Sequence, residues 1–305
     1  MIVPLYDTTT TQVADKLVAI RRDWGAVALS RVLTLLVPVG AAHAEGAIAA
    51  ANQASMEHPC RVIVIVERDR QGESTLDAEI RVGGDAGASE VVVLRLRGAL
   101  VDHQSSLIAP LLLPDAPIVA WWPDRLPSGP ADAGWAAVAA HRVTDSVRSP
   151  RPADVRLRHL AATYTPGDTD MAWTRLTWWR AHLAAILDRP PYEPVTGALV
   201  RAEADHPSAH LLAAWLELAL GAPVRREDVR GLGGITRVEL NRDTGPVILD
   251  RPDGAEVATL TTPGHADQRF HLARRSVADC LSEELRRLDE DRVYGAVLRH
   301  ATEQP

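Results

Sequence analysis

Two apolar runs decide the fold of this 305-residue chain, Arg31-Val-Leu-Thr-Leu-Leu-Val-Pro-Val39 and Arg61-Val-Ile-Val-Ile-Val66. Both are rich in valine, leucine or isoleucine and alternate little with polar residues, which is typical of strands buried on both faces. A helix of small residues, Ala44–Glu57, lies between them. Strand, helix and strand in this order predict a parallel βαβ unit with a right-handed crossover.

The segments around this unit extend it to an α/β domain with a mixed sheet, which we place at residues 1–165. A first helix ends near Asp23, and later helices are expected at Leu100–Leu112 and Pro130–His141. Further strands are predicted at Leu76–Val82, Glu90–Arg97, Pro117–Trp122 and Arg142–Val147.

Residues 166–305 have a different pattern of predicted helices and strands, which indicates a second domain of the α+β class. Three short strands lie at Thr236–Asn241, Pro246–Asp250 and Ala255–Thr261, joined by turns rich in Asp and Gly. They form an antiparallel meander. Helices are expected at about 168–188, from Pro207 to Gly221, from Ser276, and over Asp289–His300.

The helix predicted at 168–188 holds three of the eight tryptophans. At about 100° per residue, Trp173 and Trp179 fall on the apolar stripe and are expected in the core. Trp178 points to the opposite side, near Arg175 and His182. Whether it contacts a partner or is a lone exposed side chain is left open by the sequence.

Charge and hydropathy exclude several classes of function. The chain has 33 basic and 40 acidic residues, a net charge of −7, and no basic run, which argues against nucleic-acid binding. We see no secretory signal and no apolar stretch that could span a bilayer, so a cytoplasmic protein without membrane contact is expected.

Signals for catalysis are poor, and no catalytic residue, cofactor or metal site is predicted. Gly231-Leu-Gly-Gly234 leads into a strand and has no Walker lysine, so a plain turn is the better interpretation. His206 and His210 have helical spacing but no third ligand. Cys60 and Cys280 form no CxxC motif, and both are expected to be buried.

Five segments in one order resemble the glucose-6-phosphate dehydrogenase assembly protein family, OpcA. They are Asp7-Thr-Thr-Thr10, His58-Pro-Cys-Arg-Val-Ile-Val64, Leu113-Pro-Asp-Ala-Pro-Ile-Val-Ala-Trp-Trp-Pro123, Ala172-Trp-Thr-Arg-Leu-Thr177 with Trp179-Arg180, and Leu211-Leu-Ala-Ala-Trp-Leu216. The resemblance implies a non-enzymatic partner that binds glucose-6-phosphate dehydrogenase, promotes its oligomer and activates it. That role would support NADPH supply in the oxidative pentose phosphate pathway.

The resemblance has two departures. The cyanobacterial branch ties activation to thioredoxin acting on cysteines, and two distant cysteines put an intramolecular redox switch in doubt here. Trp178 stands where we expect proline in many relatives. The predicted contact residues are Trp178, Arg175 and His182, with Trp121 and Trp122 at a strand end as second choice, because Trp and Arg are frequent at interface hot spots.

Two alternatives to this function remain open. In one, the chain is a sugar-phosphate-binding enzyme or sensor that uses Arg175 and Arg180 beside the tryptophans. In the other, it is an interaction protein with a different partner. The sequence does not indicate whether the chain self-associates.

Overall fold

The computed structural model describes residues 1–23, 32–83, 90–131, 134–189 and 192–303, which form two compact units. Unit 1 comprises Met1–Arg148, Gly167–Thr169 and Val277–Glu290; unit 2 comprises Ser149–Pro166, Asp170–Ser276 and Asp291–Pro305. The chain therefore passes back into unit 1 through two short segments. The domain division at 165/166 stays a prediction.

Unit 1 is built on an eight-stranded mixed sheet in the order β1-β4-β5-β3-β2-β6-β7-β8. The strands are β1 Ile2–Leu5, β2 Leu33–Gly40, β3 Cys60–Glu67, β4 Leu76–Arg81, β5 Glu90–Leu96, β6 Ile118–Trp122, β7 His141–Thr144 and β8 Asp168–Asp170. Strands β5, β3, β2, β6 and β7 run parallel, while β4 pairs with β5 in the antiparallel direction and β1 pairs antiparallel with β4 at the edge. The predicted βαβ unit and mixed sheet are confirmed.

The helices of both units follow in chain order. They are α1 Thr10–Asp23, α2 Ala44–Ser55, α3 Gln104–Ile108, α4 Ala153–Thr163, α5 Met171–Thr174, α6 Thr177–Leu187, α7 Pro207–Leu220, α8 Val277–Arg286 and α9 Arg292–Glu303. In unit 1, α8 packs against α2. Their contact includes the Ser282 hydroxyl, which donates to Glu57 Oε2 at 2.6 Å just beyond the end of α2.

Apolar side chains of the central strands fill the core of unit 1. Leu35, Leu36 and Val37 in β2 and Ile63 and Val64 in β3 are fully buried. Both faces of these strands are therefore covered, as expected for the interior of a parallel sheet.

Unit 2 is built on a six-stranded sheet in the order β10-β9-β11-β12-β13-β14. The strands are β9 Gly197–Glu203, β10 Val224–Val229, β11 Ile235–Asn241, β12 Val247–Asp250, β13 Val257–Thr261 and β14 Gln268–His271. The predicted antiparallel meander is confirmed for β11, β12 and β13; β9 and β14 extend it at either end as further antiparallel strands, β14 without having been predicted, and β10 adds a parallel strand beside β9. Gly221, in the left-handed conformation, ends α7 as expected.

The single helix predicted over 168–188 is wrong. Asp168–Asp170 forms β8, Asp170 caps α5 by accepting from the Ala172 N–H at 2.8 Å, and the helix is interrupted before α6. At the interruption, Leu176 N–H donates to Trp173 O, which is the tighter 3₁₀ pattern. The Arg275 guanidinium donates to Thr174 O at 2.7 Å and satisfies a carbonyl at the end of α5.

Two other predicted helices are largely 3₁₀ turns. Leu100–Leu112 contains α3 between 3₁₀ turns at Gly98–Asp102 and Ala109–Leu111, and Pro110 in the second turn has no N–H to continue a helix. Within the described part of Pro130–His141, a 3₁₀ turn at Ala136–Val138 precedes β7.

Candidate functional site

Two of the three tryptophans on α5 and α6 belong to the core of unit 2, as predicted. Trp173 is 1% exposed and its indole N–H donates to Asp291 Oδ2 at 2.8 Å. Trp179 is 3% exposed, and the Arg251 guanidinium lies 5.2 Å from its ring centroid. Burial lowers the pKa of Arg251 to about 10, and its two terminal nitrogens donate to Leu272 O and Ile235 O. These indoles support the fold.

Trp178 is the tryptophan that faces outward, with 53% of its surface exposed. His182 lies one turn further along α6 and stacks on Phe270 of β14, with ring centroids 4.2 Å apart. Burial lowers the pKa of His182. Arg175 is half-buried at the end of α5. We call the surface formed by Arg175, Trp178 and His182 the Trp178 face.

A groove of about 240 Å³ adjoins the Trp178 face. Helix α6 contributes His182 and Ile186, Arg189 follows the end of this helix, and strand β14 contributes Gln268, Arg269 and Phe270. Strand β14 is the last strand of its sheet, so one side of its backbone is not paired within the described chain. An edge strand beside a helix is a geometry that can accept an added strand from a partner. We call this feature the α6–β14 groove.

Trp121 and Trp122 do not offer a contact surface, contrary to our second choice of partner residues. They are 0% and 3% exposed, and Trp122 stacks on Trp135 with ring centroids 5.6 Å apart. Strand β6 lies between β2 and β7, and the successive residues Val119–Trp122, whose side chains point alternately to the two faces, are all buried.

The carboxyl ends of β2 and β6 meet where the strand order of the parallel sheet reverses. Ligands of open α/β sheets bind at such a position, commonly with a phosphate near the start of the next helix. Here Asp124, which follows β6, directs its carboxylate to this point. The Gly40 N–H at the end of β2 donates to Asp124 Oδ2 at 2.8 Å, and His43 Nδ1 lies 3.3 Å from the same oxygen.

Neighbouring polar groups at this sheet edge also bind one another. Glu67, at the end of β3, pairs with Arg125 at 2.8 Å and accepts from Gln104 Nε2 at 2.8 Å. Gln104 Oε1 accepts from the Trp135 indole N–H at 3.1 Å. The edge where a ligand is expected is thus lined by side chains that bind one another, although Asp124 Oδ1 is buried without a hydrogen-bond partner among the described residues. These residues were not predicted from the sequence, although Asp124 directly follows the Trp121-Trp122-Pro123 strand end.

The glycine loop at 231–234 is likewise satisfied from within the chain. Gly233 N–H donates to Asp253 Oδ1 at 2.9 Å, and Arg274 pairs with the same carboxylate. These interactions lower the pKa of Asp253. The loop leads into β11, so no helix start follows it, in agreement with the interpretation as a turn.

Three findings bear on other predicted features. Cys60 and Cys280 are fully buried. Among the described residues there is no group of three or more His, Cys, Asp and Glu side chains that could hold a metal ion. None of the helices described here is both long and apolar enough to cross a membrane.

Family models identify the chain. The model described as the glucose-6-phosphate dehydrogenase subunit N-terminal domain matches residues 51–162, and the corresponding C-terminal domain model matches residues 166–298. The chain belongs to the OpcA family. The N-terminal match of this OpcA-family chain includes Asp124, and the C-terminal match includes the Trp178 face and the α6–β14 groove.

The OpcA-family chain also has distant likenesses to solved structures. KijD10, a 3-ketoreductase from Actinomadura kijaniata, is 11% identical with a TM-score of 0.49, over 88% of this chain and 95% of that one. Glucose-6-phosphate 1-dehydrogenase from Mycobacterium avium is 10% identical with a TM-score of 0.47, over 89% and 91%. No functional inference rests on likenesses at this level. The comparison with curated proteins gives no match.

Proposed function

We propose that this chain is a non-enzymatic assembly factor that binds glucose-6-phosphate dehydrogenase and promotes its active oligomer. The observation that carries the proposal is the pair of family models named for subunit domains of this dehydrogenase, which together span most of the chain. In this role the chain acts in the cytoplasm and supports NADPH production in the oxidative pentose phosphate pathway.

The geometry of unit 1 supports a role without catalysis of its own. At the sheet edge where a dinucleotide would bind, the Gly40 N–H is already occupied by the Asp124 carboxylate. The Glu67–Arg125 pair and its neighbour Gln104 engage the adjoining polar groups. A negatively charged ligand would have to displace the Asp124 carboxylate from this position, and the negative charge of that carboxylate would repel it.

Activation is proposed to occur by a shift of population. The chain binds the active form of the dehydrogenase more tightly than the inactive form, and this difference in binding free energy drives the change. A difference of about 1–3 kcal/mol is typical of such coupling and corresponds to roughly 5- to 150-fold in the equilibrium.

The Trp178 face is our proposed contact surface, and the α6–β14 groove extends it. An indole that is 53% exposed beside an arginine has the composition of an interface hot spot. The unpaired side of β14 supplies backbone donors and acceptors next to it. Both features lie within unit 2 and within the matched C-terminal domain.

In the test, the dehydrogenase from the same organism is titrated with this chain. The reaction rate of the dehydrogenase and the co-elution of the two proteins on a sizing column are measured. We expect a higher rate and a larger complex. Trp178→Ala should weaken binding about tenfold or more, the effect of losing a hot-spot residue worth over 1.4 kcal/mol. Leu218→Ala is the matched control, because Leu218 is 48% exposed on α7 of the same unit. No rate change and no co-elution would refute the proposal.

The alternative function is a sugar-phosphate-binding enzyme or sensor centred on Arg175 and Arg180. The Arg180 guanidinium lies 3.6 Å from the Trp173 ring centroid and also contacts the Thr177 hydroxyl. A phosphate at this position would therefore compete with the Thr177 hydroxyl for a guanidinium N–H of Arg180. Calorimetry of the isolated chain with glucose 6-phosphate, comparing the wild type with Arg180→Gln, separates this alternative from the assembly role.

A further inference from the structure

A second concave site lies in the helical part of unit 2. Helices α4, α7 and α9 and strand β10 enclose a pocket of about 310 Å³. Its wall includes Ala213 and Ala214 of α7, whose short side chains leave the space open. The volume lies at the lower end of the range for small-molecule sites, which is about 300–1,000 Å³.

Most charged groups around this pocket already have partners. Arg158 pairs with Asp154 one turn earlier on α4. Glu217 of α7 lies 3.1 Å from His300 Nε2 of α9. The Thr302 hydroxyl donates to carbonyl oxygens of its own helix. Because the two carboxylates are engaged, they leave little for a cationic ligand to bind.

Two groups in the pocket differ from the rest. Within the described part of the chain, neither the side chain of Arg226 on β10 nor that of His210 on α7 has a hydrogen bond or an ion pair. Arg226 shares its side of β10 with Val224, which also lines the pocket, whereas Arg225 does not line it. A guanidinium and an imidazole therefore face the space without a protein partner.

The electrostatics of these two groups determine the sign of the charge of a ligand that binds here. Burial and, to a smaller extent, Arg226 lower the pKa of His210 to about 4, while Asp228, Asp205 and Asp154 act in the opposite direction. The imidazole is therefore neutral at pH 7 and offers one N–H. The guanidinium offers five N–H donors and a permanent charge. Donors of this kind bind the oxygens of phosphate or carboxylate.

We propose that the pocket formed by α4, α7, α9 and β10 binds a small phosphate ester through Arg226 and His210. Arg226 carries the charge recognition, the neutral imidazole donates one further hydrogen bond, and the alanine wall accepts the body of the ligand. The site does not include the Trp178 face or the α6–β14 groove. Its occupation is independent of whether the chain binds the dehydrogenase.

The test follows the imidazole of His210 by NMR titration of the whole chain, with its resonance assigned from His210→Gln. At constant ionic strength, we expect millimolar glucose 6-phosphate to raise the pKa of His210, because a bound anion favours the charged imidazolium. Inorganic phosphate is compared with the sugar phosphate. A larger shift with the ester supports the proposal, and equal shifts would overturn the choice of an ester in favour of the free ion.

Arg226→Gln and Arg225→Gln form a matched pair of variants, since both remove one exposed arginine from the same edge strand. We expect the ligand-induced shift to be lost in Arg226→Gln and kept in Arg225→Gln. A shift that survives in Arg226→Gln, or one that is absent from the wild type with both probes, would overturn the proposal. Because removal of Arg226 by itself raises the pKa of His210, the backbone amide spectrum of the unliganded variants is used to report that the pocket is still folded.

Discussion

The Asp124 side chain occupies the edge of the parallel sheet at which a ligand is expected. Its carboxylate accepts the Gly40 N–H at 2.8 Å, and the group is only 9% exposed. Replacing it with alanine leaves that N–H without its partner, and an unsatisfied buried donor costs about 1–3 kcal/mol. We expect Asp124→Ala to lower the midpoint of urea unfolding. Asp15→Ala, at an exposed position on α1 of the same unit, is the control. Equal midpoints for the two variants would mean that Asp124 does not hold this edge.

His210 provides a prediction about pH. Its folded pKa of about 4 lies below the ordinary value of 6.5, so the unfolded chain binds more protons between these values. Stability is therefore fully present above about pH 6.5 and is lost as the pH falls towards 4, by an amount on the order of 3 kcal/mol. Urea unfolding at pH 7 and pH 5 should show a smaller difference for His210→Gln than for the wild type. His265→Gln, at an exposed loop position, should keep the wild-type difference.

At the scale of elements, a ring contact joins strand β14 to helix α6. Phe270 stacks on His182 at 4.2 Å, and burial holds the pKa of this histidine low. Phe270→Ala admits water to the imidazole, so the pKa of His182 should rise towards its ordinary value. NMR titration measures this change. Tyr192→Ala removes an aromatic ring that is 75% exposed and serves as the control. An unchanged pKa in Phe270→Ala would show that the stack does not bury His182.

The elements that sequence reasoning predicted are those with a strong local pattern. Strands β2 and β3 are continuous apolar runs, and α7 carries a regular apolar stripe that ends at Gly221. Strand β10 was missed because Arg225–Asp228 is entirely charged and exposed, which protects a sheet edge from further pairing. The sequence of β10 therefore lacks the alternation of apolar and polar residues that indicates a strand.

The interruption between α5 and α6 could not be predicted for a different reason. The group that satisfies Thr174 O is Arg275, about a hundred residues later in the sequence. The outward direction of Trp178 followed from helical geometry within one turn and agrees with its exposure. The burial of Trp121 and Trp122 was not predicted because it depends on the position of β6 in the interior of the sheet, and the strand order cannot be derived from a single sequence.

At the scale of the whole molecule, a net charge of −7 contrasts with the arginines of the α6–β14 groove. If an extended acidic segment of the dehydrogenase enters this groove, attraction between opposite charges speeds the encounter and salt slows it. We therefore expect the association rate to fall several-fold between low and physiological ionic strength, as measured by stopped-flow mixing.

Two charge reversals separate local attraction from the effect of net charge. Arg269→Glu lies on β14 and Arg225→Glu on β10, which are the opposite edges of the same six-stranded sheet. Both residues are exposed, and each reversal changes the net charge of the chain equally. If the partner docks at the α6–β14 groove, Arg269→Glu should slow association and reduce its salt dependence, while Arg225→Glu should not. Equal slowing by the two variants would mean that only the overall charge of the chain steers the encounter. Slowing by Arg225→Glu alone would indicate that the partner binds at the β10 edge.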